Sequence, residues 1–166
     1  MILSDRTIKD IILNKGVYLV NPFNPDHLQP CSIDLHLDNE LKTIDGKTIN
    51  IKDDSYHLKP NEFILGSTIE EVHIPNDIVG HLDGRSSIAR LGLLVHCTAG
   101  YIDSGYKGNI TLEIYNCSNK DFELFYGDSI CQIVYETLTT PVDRPYGSEG
   151  LGSKYQNSKG VVNSKL

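Results

Sequence analysis

The chain has 166 residues, 39% of them hydrophobic and 8% aromatic, and a formal charge of −7. That length supports one domain around a single core. The acidic balance excludes a broad grip on nucleic acid, which needs a basic face, but leaves room for a small anion held by local arginines. No apolar run is long enough for a membrane span. The first residues lead directly into a helical pattern, without the basic and long apolar regions of a signal peptide.

Ser4 is placed to cap a short helix in which Ile8, Ile11 and Ile12 share a face, and Gly16 ends it. Residues 17–30 hold three prolines and two asparagines and read as irregular. Residues 31–37 alternate, with Ile33, Leu35 and Leu37 facing one way and Ser32, Asp34 and His36 the other, the pattern of a half-buried strand. Asp45-Gly46 marks a hairpin turn between strands at 41–44 and 48–51. Further strands are predicted at 63–65, 68–74, 78–82, 93–97, 108–115, 122–124 and 129–137, with one short helix at 86–91 stopped by Gly92. Short strands divided by Gly, Pro, Asn and Asp turns predict an all-β sandwich or barrel-like jelly roll. Beyond Pro141 the hydrophobic periodicity stops, so residues 141–166 read as a flexible C-terminal tail or lid on a single domain spanning 1–166.

Cysteines stand at 31, 97, 117 and 131, without a CxxC pair and without Cys/His ligand spacing. They read as small buried side chains of a reducing, cytoplasmic compartment, with a metal site as the alternative. His96 reads as a strand residue that packs or hydrogen-bonds rather than as a base.

Residues 84–116 concentrate the chemistry. A helix starting near Ser86 would aim free N–H groups, the Ser86 and Ser87 hydroxyls and Arg85 at one place, an arrangement suited to phosphates, with Arg90 returning to the face of Ser86. The alternative is an ordinary cap with surface arginines. The glycine-rich turn at 100–108 puts Asp103 at its rim, either to orient a sugar hydroxyl or a water, or simply as an Asx-type turn. Thr111, Glu113 and Tyr115 share one strand face, opposite Ile110, Leu112 and Ile114. A glutamate in so apolar a strand is expected to be shielded and suited to proton transfer, unless the sheet is open to solvent on that side. Gln132 is polar in an apolar strand and needs a buried partner or a ligand. In the tail, Tyr146, Lys154 and Tyr155 offer stacking rings and a cation that could fold over a triphosphate, or a merely solvated segment.

Several blocks in order carry a resemblance: ILSD at 2–5, QPCSIDL at 29–35, LKPNEF at 58–63, GRSSIARLG at 84–92, TAGYID at 98–103, GNITLE at 108–113, and the pairs Pro145-Tyr146 and Lys154-Tyr155. The chain resembles the dCTP deaminase family, a branch of the trimeric dUTPase superfamily. The resemblance implies a distorted jelly-roll, dUTPase-like barrel, a homotrimer with active sites between subunits, and Mg²⁺ bound through the substrate triphosphate, with no metal on the protein. It implies zinc-independent deamination, in keeping with the missing HxE and PCxxC signature of zinc deaminases. By the same resemblance Glu113 is the general acid/base for attack on C4 of cytosine. Ser86 and the backbone around Ala99 would hold the water, and Arg90 would assist. Arg85, Ser86 and Ser87 would meet the phosphates, Asp103 the deoxyribose, and Thr111, Leu112 and Glu113 the base, with Gln132, Tyr146 and Lys154 also binding nucleotide.

Some members only deaminate, whereas others also cleave dUTP to dUMP and diphosphate. The first group tends to carry a bulky His-Arg pair where this chain has Gly100-Tyr101, which is similar to the bifunctional pattern, as are Gln132 and the PYGS run at 145–148. The expectation is therefore both steps, supplying dUMP for thymidylate synthesis, with Asp103 positioning the second water. A deaminase releasing dUTP, a pure dUTPase and a non-catalytic nucleotide sensor are the alternatives. The resemblance also implies dTTP as a feedback inhibitor. Ser158 stands where the family tail usually carries a glutamine, which puts one tail contact in question.

Overall fold

The computed structural model describes residues 1–96 and 98–166, so the expected burial of Cys97 and its place at the end of a strand lie outside the described residues. Helix α1 (Asp5–Leu13) starts where Ser4 Oγ accepts from the Thr7 N–H at 3.4 Å, and it buries Ile8 completely. Gly16 follows at φ +66°, a backbone conformation that glycine enters without a Cβ clash.

Twelve strands follow: β1 (Val20–Asn21), β2 (Ile33–His36), β3 (Glu40–Lys42), β4 (Thr48–Asn50), β5 (Ser55–Leu58), β6 (Phe63–His73), β7 (Ile78–Gly84), β8 (Leu93–Val95), β9 (Tyr101–Ile102), β10 (Lys107–Asn116), β11 (Phe122–Phe125) and β12 (Ser129–Thr137). A 3₁₀ turn, Pro25–His27, precedes β2, and a four-residue helix, α2 (Ser86–Ala89), follows β7. One sheet runs β4-β3-β6-β10-β8 with β1 also on β6, a second runs β2-β12-β7-β9, and β5 pairs with β11. The named strands all pair antiparallel.

Both large sheets feed one core. Ile64, Leu112 and Ile114 from the first and Leu82, Ile133 and Tyr135 from the second belong to a single buried cluster. The register shifts once in β10, between Asn109 and Thr111, and once in β12, between Ser129 and Cys131. Each bulge breaks strict alternation, so Ile110 and Ile130 are buried beside their alternating neighbours.

Of the described cysteines only Cys131 is buried; Cys31 and Cys117, expected inside, are exposed. The structure revises the strand and tail picture in three further places. The strands expected at 63–65 and 68–74 are one strand, β6, because Gly66 is a packing residue rather than a breaker: a Cβ there would meet Leu37 Cδ1 at 2.8 Å. The strand at β2 is buried on both faces, since Asp34 and Ser32 are as enclosed as Ile33 and Leu35. Its polar face is satisfied by partners rather than water: Asp34 with Arg85, His36 with Glu70, and Ser32 with Gln132. Third, the tail is docked. Asn109 N–H donates to the Ser158 carbonyl at 3.0 Å, Val162 N–H donates to Thr111 Oγ1 at 3.1 Å, and Val161 is buried. It carries no hydrophobic periodicity because backbone and amide groups hold it. Gln156 alone bonds Lys107, Gly105 and Tyr146.

Candidate active site

Strand β8 covers only residues 114–116 of β10. The β10 edge at Thr111–Glu113 therefore opens into a cleft of about 630 Å³. Ala99, Tyr101, Asp103, Thr111, Glu113 and Tyr146 line it, together with His96. A strand edge only partly covered, next to a carboxylate, is suited to read the polar rim of a flat heterocycle.

Glu113 is neither fully shielded nor fully open. Its side chain is 36% exposed, yet its Oε2 atom is buried and lies 2.7 Å from Nδ1 of His96. The contact is close but not aligned as a hydrogen bond, and neither atom has another partner among the described residues. His96 sits just past β8 at φ +53°, with its Nε2 3.0 Å from the Ala99 carbonyl and its N–H donating to the Glu113 carbonyl at 2.8 Å. Burial works against a charged ring, but the Glu113 carboxylate and the Ala99 and Thr111 carbonyls outweigh it and raise the imidazole above its ordinary range. His96 thus belongs to the cleft and not to an ordinary strand. A positive φ at a non-glycine residue leaves no mark in the sequence that could have revealed this.

The rim is built by the 103–106 turn. Gly105 lies at φ +90°, and a Cβ on it would come within 2.5 Å of Pro145. That close approach lets Tyr146 N–H reach the Ser104 carbonyl at 2.8 Å and places the Tyr146 ring edge-on to Tyr106. Asp103 remains exposed at the rim. Lys154 does not line the cleft; it borders a neighbouring depression with Asp103, Tyr146 and Tyr155. Gly100 packs where a Cβ would stand 2.9 Å from the His81 ring and from the Leu82 carbonyl, and Tyr101 stacks on His81 at 4.8 Å.

A second group of expected residues lies apart from this cleft. Arg85 is held in the chain, with Nη2 3.2 Å from Asp34 Oδ2 and Nη1 donating to the Ser129 carbonyl at 3.1 Å. Gln132 accepts from Ser32 Oγ at 2.9 Å, which meets its need for a partner. Ser86, Ser87 and Arg90 are exposed on α2. None of these five lines the cleft of its own chain. Leu112 is fully buried in the core, so only its backbone can face a ligand.

A family model described as dCTP deaminase-like matches residues 2–138. The chain belongs to the dCTP deaminase-like family. Among its relatives, the dCTP deaminase, dUMP-forming, of Corynebacterium kroppenstedtii is 42% identical over 99% of this chain and 97% of its own length. The protein of that name from Dictyoglomus thermophilum is 41% identical over 100% and 95%. In fold, the dCTP deaminase-like chain is similar to the 2'-deoxycytidine 5'-triphosphate deaminase of Agrobacterium tumefaciens, with a TM-score of 0.69 at 19% identity over 82% of this chain. It spans 48% of that larger chain. A Staphylococcus bacteriophage 80alpha dUTPase variant matches at a TM-score of 0.51 and 20% identity, over 72% of this chain and 84% of that one. Both likenesses support the β fold expected from the strand pattern.

Proposed function

We propose that the protein deaminates dCTP and hydrolyses the resulting dUTP to dUMP and diphosphate. The observation that carries this reading is Glu113, whose carboxylate stands at the open edge of β10 in a cleft whose rim carries Asp103. Near-full-length relatives named dCTP deaminase, dUMP-forming, support it.

In the first step Glu113 takes a proton from the water that attacks C4 of the cytosine ring. It returns protons to the ring nitrogen and to the departing amine, so that the C4–N bond breaks, ammonia leaves, and the water oxygen stays on C4 as the new carbonyl of uracil. In the second step a water oriented by Asp103 attacks the α-phosphorus, and the bond to the bridging oxygen of diphosphate breaks. Thr111–Glu113 backbone groups meet the base edge. The Gly100–Tyr101 pair keeps the cleft wall flat against His81, where a bulkier residue at 100 has no space.

The phosphate-binding half comes from a neighbouring subunit of a homotrimer. Ser86, Ser87 and Arg90 point outward from α2, and the cleft of the same chain does not contain them. Docked on a neighbour, α2 brings its hydroxyls and guanidinium to the triphosphate, next to Glu113. Mg²⁺ fits this arrangement as a companion of the nucleotide, since Asp103 and Glu113 are the only carboxylates among the described lining residues and a hard cation prefers phosphate oxygens and water. Bound there, it offsets phosphate charge.

Incubation of pure protein with dCTP and Mg²⁺, followed by separation of products, tests the reading. Ammonia with dUMP and little free dUTP is expected. Accumulation of dUTP alone removes the second step, and absence of ammonia removes the first.

A further inference from the structure

Three side chains outside the cleft converge at the junction of the two sheets. His27 ends the 3₁₀ turn, His36 ends β2 in the second sheet, and Glu70 lies in β6 of the first. One ligating atom from each lies within 4.8 Å of the others. The two rings are 4.1 Å apart between centroids, and His36 Nδ1 is 2.7 Å from Glu70 Oε1. Glu70 is only 5% exposed. The sequence gives no hint of this cluster, because positions 27, 36 and 70 lack any metal-ligand spacing and meet only through topology.

The geometry points to a divalent-cation site of the zinc class formed by His27, His36 and Glu70. Two imidazoles and one carboxylate suit a borderline first-row cation rather than Mg²⁺. Such an ion holds its donors at ~2.0–2.2 Å, so atoms across it stand up to roughly 4.4 Å apart, and a small inward movement of the rings closes the set. A supporting contact already aims one donor: the His36 N–H donates to Glu70 Oε2 at 2.9 Å. Outer contacts of this kind orient metal ligands. The Asn24 amide, 3.2 Å from His27 Nε2, would have to give way if that nitrogen ligates.

An ion here would tie the 3₁₀ turn and β2 to β6. Two residues before His36, Asp34 holds Arg85, so the clamp also stiffens the strand that anchors the phosphate-side arginine. The plain competing reading is a His36–Glu70 ion pair between sheets, with His27 merely stacked upon it.

The test uses the full, untagged chain, stripped with chelator and titrated calorimetrically with ZnCl₂ in excess Mg²⁺. One Zn²⁺ per chain with micromolar or tighter affinity is expected, together with a higher melting temperature. His27→Ala, at the half-buried turn, should weaken binding at least 100-fold while leaving dCTP turnover unchanged, and His36→Gln should do the same to binding. Co²⁺ in place of Zn²⁺ should give visible d–d bands without the strong near-ultraviolet band of thiolate ligation. Absence of stoichiometric binding, or His27→Ala binding as the parent does, overturns the site. So does a thiolate band that disappears in a Cys31→Ser, Cys117→Ser variant, because those exposed thiols would then be the ligands.

Discussion

The β9–β10 cleft and the α2 segment are neighbours in sequence but opposites in how their polar groups are satisfied. In the cleft, most groups are met from within the chain: the His96 N–H by the Glu113 carbonyl and its Nε2 by Ala99, Thr111 by Val162, the 105–107 turn by Gln156, with the Glu113 Oε2–His96 Nδ1 contact left unaligned. On α2, Arg85 is anchored, but Ser86, Ser87 and Arg90 face solvent on a helix too short to be stable alone. A pocket rich in its own contacts and a helix with outward, unengaged donors are complementary halves. Their difference argues for a composite site between copies of the chain, as isologous or cyclic assemblies allow.

The largest effect that sharpens this contrast is Glu113→Gln. It should lower ammonia release by ~10²–10⁴ while nucleotide binding, followed by calorimetry, stays near the parent value. Near-parent turnover would remove Glu113 from the chemistry. Next comes Gly100→Ala, which forces a Cβ against the Leu82 carbonyl and the His81 ring at 2.9 Å. Denaturant unfolding should show a loss of ~1–3 kcal/mol, and the dUMP-to-dUTP product ratio should fall as the wall is displaced. Asp34→Asn should act through Arg85 on the other half. We expect KM for dCTP to rise several-fold with kcat little changed, because the guanidinium loses its 3.2 Å partner.

The smallest effect is in pH dependence. His96 has its folded-state value raised, so the folded protein binds more protons than the unfolded chain above ~6.5. Its contribution to stability is therefore complete below that value and is lost as pH rises through the raised one. A plot of melting temperature against pH should slope downward across that window, and His96→Gln should flatten it. An unchanged slope would mean that the His96–Glu113 contact does not bear on folding.

Much of the fold was legible in the residues. Alternation located β12 to the residue, and Ser4 and Gly16 bracketed α1 as expected. What was not legible is non-local. β6 looked like two strands, at 63–65 and 68–74, because nothing local shows that Gly66 packs against Leu37 within one continuous strand. The polar side of β2 looked solvated because its partners lie 34 to 100 residues away in sequence, at Glu70, Arg85 and Gln132. Of the site, Ala99, Tyr101, Asp103, Thr111, Glu113 and Tyr146 meet in one cleft. Their separation from Arg85, Ser86, Ser87, Arg90 and Gln132 follows from α2 folding outward, which linear proximity conceals. The tail lacked a core pattern because it is held by Gln156, Ser158 and backbone groups rather than by an apolar face.

The composite site is tested most directly by subunit complementation. Glu113→Gln and Arg90→Ala chains are each made inactive, then co-expressed in equal amounts. If Glu113 of one copy works with Arg90 of another, random mixing leaves one site in four with both residues intact, and about a quarter of parent activity returns. If both residues serve the same copy, the mixture shows no more ammonia release than the two variants alone, and the division of the site between subunits is wrong.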